Sequence, residues 1–96
     1  MHINGVRVEF DPAKDAINRA KHGISLESAS RFDWDTAFER EDNRFDYDEV
    51  RFVAIGLIEA RLHVMVFTEG SADDAVRVIS LRSAENHEKR FYDGQV

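Results

Sequence analysis

The chain has 96 residues, no cysteine and a formal net charge of −6. That length supports one core and no second domain, burying roughly 60 to 70% of the surface of the extended chain, and the lack of cysteine excludes a disulfide framework and a thiolate metal site. The strictly apolar runs, such as Val64 to Phe67, fall far short of the roughly 20 residues that span a bilayer and the N-terminus holds no apolar signal core, so a cytoplasmic protein with no membrane contact is expected.

The acidity is concentrated. Between Asp33 and Glu49, eight acids face only Arg40 and Arg44, which accounts for −6 and leaves the rest of the chain at zero. Such a segment reads either as a solvated face or as a dock for a basic partner. It argues against the simplest nucleic-acid binder, which presents a basic face.

In chain order, Asn4-Gly5 is a turn signal, and Val6 to Phe10 alternates apolar and charged residues as a half-buried strand does. Asp11 is placed to cap a helix with Pro12 at its first position and Gly23 as its left-handed stop after His22. Inside that helix, Ala13, Ala16, Ile17 and Ala20 form an apolar stripe expected to pack, while Lys14, Asn18 and Lys21 form an adjoining polar stripe that His22 extends. A shorter helix is expected from Ser25 as N-cap to about Phe32, with Ile24 and Ala29 as a hydrophobic staple. Thr36 to Arg40 is a further candidate strand, and Glu41 to Arg44 and Tyr47 to Glu49 read as turn or loop.

Two near-continuous apolar runs, Phe52 to Ile58 and Leu62 to Phe67, flank Glu59-Ala60-Arg61 and predict a hairpin with both faces covered. After a turn at Glu69 to Asp74, Val76 to Leu81 is β-branched or apolar apart from Arg77 and Ser80, as suits a central strand. Simple alternation puts Arg77 with Ile79 and Leu81 on one face and Ser80 with Arg82 on the other, so the two arginines diverge unless a bulge intervenes. Ser83 is the expected N-cap of a last helix running from Ala84 to about Tyr92, with Ala84, His87, Glu88 and Phe91 on one side. The order of elements and the short connections predict an α+β fold: an antiparallel sheet of four to five strands with two N-terminal helices and one C-terminal helix.

The strand end and last helix bring together Arg77, Arg82, His87, Glu88, Lys89, Arg90 and Tyr92, the densest acid/base inventory in the sequence and the leading site candidate. No pair of histidines has metal-ligand spacing and neither a glycine-rich phosphate loop nor a nucleophile motif occurs, so neither a metal nor another cofactor is expected.

Glu9-Phe10-Asp11-Pro12-Ala13-Lys14, Asn18, Lys21-His22-Gly23-Ile24-Ser25, Arg51-Phe52 leading to Gly56, and Arg77-Val78-Ile79-Ser80-Leu81-Arg82-Ser83-Ala84 with Glu88 and Tyr92 together resemble the BrnT family of toxins. The resemblance covers almost the whole chain. It departs from the family at Phe10, where a Trp is usual, at Val50, where a Glu is common, and at Glu85-Asn86-His87, where a more basic run is usual. It implies a RelE-like fold and an endoribonuclease toxin of a type II toxin-antitoxin pair. It also implies a BrnA-like antitoxin bearing a ribbon-helix-helix dimer, with operator DNA contacted only through that antitoxin.

Cleaving RNA without a metal takes a base for the 2′-hydroxyl proton, a cation for the phosphorane and an acid for the leaving 5′-oxygen. Arg82, with Arg77 as its alternate, suits the phosphate because a guanidinium binds phosphate oxygens bidentately. Glu88, His87 and His22 are candidates for the base, and Tyr92 or a protonated histidine for the acid. Lys14, Asn18, Lys21, Lys89 and Arg90 are candidates for RNA contact. Each also has a structural reading: Arg82 as a salt bridge to Glu85 or Glu88, Arg77 as a packed residue, His22 as a helix-end partner, His87 stacked on Phe91, and Glu88 bonded to Tyr92. The alternative function is a toxin-like binding module with weak catalysis, acting as a partner or co-repressor subunit.

Overall fold

A computed structural model of the chain describes residues 6–43 and 49–95. Asn4-Gly5 and the loop expected around Tyr47-Asp48 lie outside them. The elements follow as β1 (Arg7–Glu9), α1 (Pro12–His22), a 3-10 helix (Leu26–Arg31), β2 (Phe38–Glu41), β3 (Phe52–Ile58), β4 (Arg61–Glu69), β5 (Ala75–Ser83) and α2 (Asn86–Gln95). The five strands form one sheet in the order β1-β5-β4-β3-β2.

That sheet is mixed, which corrects the expectation of a purely antiparallel one. β2 to β5 pair antiparallel through short connections, but β1 runs parallel to β5, with Val8 opposite Val76. The β3–β4 hairpin closes on two residues, since Ile58 pairs with Arg61 and Glu59 takes the left-handed φ of 57°. Direction was not encoded in the alternation of β1, because its partner lies 68 positions later and the same pattern suits either orientation.

Two cores sit on opposite faces of the sheet. One is built on Leu26, Ala29 and Phe32 beneath Ala54, Ile58, Met65, Phe67, Val78 and Leu81, with Trp34 packed edge-on to Phe32 and Phe67. The other, smaller, gathers Ile55, Val64, Ala84 and Tyr92, with Phe38, Val53 and Leu62 against it. α2 covers only part of this second face.

α1 has its expected caps: Asp11 Oδ1 accepts from the Ala13 N–H at 2.9 Å, and Gly23, at φ 71°, closes the last turn on Arg19. Its orientation is the reverse of the expected one. Ala13, Ala16 and Ala20 are exposed and Ile17 is 62% exposed, whereas Asn18 is the buried residue. The second N-terminal helix is a 3-10 helix of six residues. Ser25 caps it as expected, Ile24 and Ala29 both join the first core, and Phe32 leaves it to bridge Ile58.

Candidate functional site between the sheet and the last helix

β5 mounts the candidate site, and a bulge decides its geometry. Ser80 pairs with Val66 and Val78 with Phe67, so Ile79 is an extra residue in the strand. Val78 and Leu81, three apart, therefore enter the same core. Opposite them, Arg77 faces Thr68 and Arg82 faces Val64, two β4 residues of equal parity. Both arginines thus lie on the face that α2 partly covers, about 13 Å apart along the strand.

β5 extends through Ser83, so Ser83 is a strand residue and not the expected cap. Helical bonding starts at Glu85, whose carbonyl accepts from the Glu88 and Lys89 N–H groups. Glu88 Oε1 in turn accepts from the Glu85 N–H at 2.8 Å, the carboxylate half of a capping box. The same carboxylate takes Arg82 in fork-to-fork geometry, with Nη1 to Oε1 and Nη2 to Oε2 both 2.8 Å. The Arg82 guanidinium first, then the Glu85 N–H, hold the Glu88 carboxyl down at about 2 against the opposing effect of burial.

Beside this pair lies an open groove of about 460 Å³, within the roughly 300 to 1,000 Å³ typical of ligand sites. Its floor is apolar, from Phe38, Val53, Ile55 and Val64, and its walls are Glu39 and Arg40 of β2 and His87, Glu88 and Phe91 of α2. His87 is exposed and 3.8 Å from the Glu85 carboxylate. Arg40 was absent from the sequence-derived candidates; the signal that finds it is alternation within β2, which puts it on the face of the apolar Phe38.

The groove gathers some of the predicted residues and leaves others outside. His87 and Glu88 line it, and Arg82 stands beside it through its pair with Glu88. Arg77 is on the same face but tied to Glu49 at 2.6 Å, with Arg51 3.6 Å from the same carboxylate. Tyr92 is 7% exposed and donates its hydroxyl to the Thr36 carbonyl at 3.0 Å, edge-on to Phe38, rather than meeting Glu88. It docks α2 and is not placed to act as an acid. Lys89 lines a separate depression with Arg61 and Asp93, and Arg90 is exposed.

Asn18 is a correction. At 3% exposure it cannot reach RNA; its Nδ2 donates to the Ile24 and Leu81 carbonyls, both at 2.8 Å, and its Oδ1 accepts from the Leu81 N–H at 3.1 Å. The amide stands where a further strand would pair with β5 beyond the end of β1. Lys14, Lys21 and His22 are exposed on α1, which packs on β5 and the 3-10 helix and contributes nothing to the groove. The His22 side chain makes no hydrogen bond or ion pair with the other described residues.

Glu85, His87 and Glu88 present ligand atoms within 4.8 Å of one another. A cation there would compete with Arg82 and the Glu85 N–H for the Glu88 oxygens, so the donor set is already engaged within the protein. Spacing between histidines alone could not reveal this grouping.

The fold and the groove define a class: a small α+β protein whose last helix partly closes an arginine-bearing sheet face. Residues 10–88 match the family described as the ribonuclease toxin BrnT of type II toxin-antitoxin systems, and the chain belongs to that family. Its structure is similar to the crystal structure of the Brucella abortus ribonuclease toxin BrnT, with a TM-score of 0.63 and 25% identity over 84% of this chain and 99% of that one. No curated protein sequence matches it. Membership in a toxin-antitoxin family implies an antitoxin partner. Among the described residues, no helix is long and apolar enough to cross a membrane.

Proposed function

We propose that the chain is an endoribonuclease toxin of RelE-like type that cleaves RNA in the groove between the sheet and α2. The observation that carries this reading is the shared face: Arg40, His87 and Glu88 border one open groove, Arg82 stands beside it in its pair with Glu88, and the bulge at Ile79 puts Arg77 on the same side. In the reaction the 2′-oxygen attacks phosphorus and gives up its proton, the bond to the 5′-oxygen breaks, and that oxygen is protonated. A 2′,3′-cyclic phosphate and a 5′-hydroxyl result.

Arg82 suits the phosphorane, because a guanidinium held by a rigid strand meets charge that develops in the transition state without reorganising. Arg40, across the groove, is a second cation for the phosphate. Glu88, held ionised far below neutrality, positions Arg82 and is poorly suited to taking a proton. His87 is the proton-exchanging candidate, since an imidazole serves as base and then acid near neutral pH. These groups make up an acid/base apparatus without a metal. The partner would be a BrnA-like ribbon-helix-helix antitoxin, through which alone operator DNA is contacted; its basic surface would meet the acidic Asp33–Glu49 stretch in the cytoplasm.

Induction of the chain without its antitoxin is expected to arrest growth and fragment cellular RNA. Arg82→Ala is expected to lower cleavage by about 10²- to 10³-fold, the usual cost of removing one transition-state donor, with the circular dichroism spectrum retained. His87→Gln should change the pH profile of kcat, and cleavage should persist in a chelator. A second reading, a partner-binding module with weak catalysis, is favoured by one contact: Glu88 already occupies the bidentate edge of Arg82. Intact RNA after induction, together with retained antitoxin binding, would decide for that reading.

A further inference from the structure

On the face of the sheet opposite the groove, a depression of about 410 Å³ opens where the 3-10 helix meets the β3–β4 hairpin. His63 is its most buried polar lining residue, 9% exposed, and shares the parity of Met65 in the first core. Its Nδ1 lies 2.9 Å from the Arg61 carbonyl, which can only accept, so Nδ1 carries the proton and Nε2 keeps a lone pair. Nε2 has no partner among the described residues and is not sealed from solvent, so it opens into the depression. The groups around it are also unspent. The ion pairs of Arg31 with Glu27 and Glu59 are both 3.8 Å long, beyond hydrogen-bond reach. The Arg61 guanidinium and the Ser28 hydroxyl make no hydrogen bond or ion pair with the other described residues. Arg77 and Arg82, by contrast, are each held by a carboxylate at 2.6 and 2.8 Å.

We infer that this depression binds a phosphate monoester, with the Arg31 and Arg61 guanidinium groups on its anionic oxygens and His63 Nε2 sharing one proton with another of them. Two cations line the site against one carboxylate, Glu59, whose side chain is 79% exposed and solvated. Guanidinium groups take phosphate oxygens in forked pairs. The lone histidine selects the kind of phosphate: a monoester has a second pKa of about 6 and exchanges a proton with an imidazole near neutral pH, whereas a diester has no such proton to share. The site shares no lining residue with the groove and stands independently of the ribonuclease reading. A free nucleoside 5′-monophosphate and the 5′-phosphate of a nucleic-acid end offer the same chemistry, and the test distinguishes them.

The test follows the His63 imidazole resonances of the full chain by NMR, assigned with His63→Gln, at constant ionic strength. Inorganic phosphate and a nucleoside 5′-monophosphate are expected to shift them saturably, with a Kd on the order of 1 mM, as a few charge-assisted hydrogen bonds to a small anion give. A dinucleoside phosphodiester should leave them in place. Arg61→Gln, at an exposed position, is expected to weaken phosphate binding by about 10-fold, the loss of one charge-assisted contact, and Glu59→Gln to tighten it by about 2- to 5-fold. A short DNA oligonucleotide with and without a 5′-phosphate identifies the source. A shift only with the phosphorylated form supports the site and extends it to nucleic-acid ends, and a shift with the free monophosphate alone supports it for small molecules. A drift that chloride reproduces, an equal response to the phosphodiester, or a Kd unchanged in the Arg31→Gln, Arg61→Gln double variant would overturn the inference and leave the nuclease reading untouched.

Discussion

Glu88 has one carboxylate and two tasks, completing the cap of α2 and holding Arg82. Its pKa falls on folding from an ordinary 4.5 to about 2, so the folded state binds fewer protons than the unfolded one in that interval. The stabilisation is therefore complete above pH 4.5 and lost as the pH falls toward 2. Glu88→Gln is expected to lower stability at pH 7 by on the order of 1 to 2 kcal/mol, after allowance for the partial exposure of the pair, and to flatten the dependence of Tm on pH between 4.5 and 2. Thermal melts of both proteins across that range check it. Gly56 is held to a hydrogen by close approach: a Cβ there would lie 2.6 Å from Phe32 Cζ and 2.9 Å from Ala37 Cβ. Gly56→Ala should cost about 1 to 3 kcal/mol by overpacking, read from the urea midpoint.

Among the elements, α1 shows how polar bonds can outrank an apolar stripe. Three alanines bury little area, whereas the Asn18 amide satisfies three backbone groups and Asp15 Oδ1 accepts from the Leu26 N–H at 2.7 Å. Leaving those buried groups unpaired costs more than leaving methyls in water. Asn18→Ala is expected to destabilise the fold by about 2 to 4 kcal/mol in chemical denaturation while leaving the groove unchanged. If Asn18 met RNA instead, the variant would lose affinity and keep its stability. The docking of α2 rests on Tyr92 against Ala84, Ile55 and Val64, which frees His87 and Phe91 to border the groove.

For the whole molecule, a net charge of −6 leaves no general attraction to RNA, so the proposed RNA binding would rest on the few guanidinium groups on one sheet face. Two or three phosphate contacts predict a shallow salt dependence, with log K falling against log salt at a slope of about −2 for a single strand; filter binding at several salt concentrations measures it. A much steeper slope would point to a wider basic surface than the groove offers. The caps of α1, the hairpin and the apolar strands were legible in the sequence because each rests on residues within a few positions: Asp11-Pro12, Gly23, and the runs beside Glu59-Ala60. The sequence by itself thus determined the α+β class, the strand that carries both arginines and the family it resembles. Only the tertiary structure decided the parallel β1, the burial of Asn18 and Tyr92, and the convergence of Arg77 and Arg82 on one face. Those depend on a bulge and on pairings between distant residues, and a local pattern of side chains does not record which distant backbone will meet it.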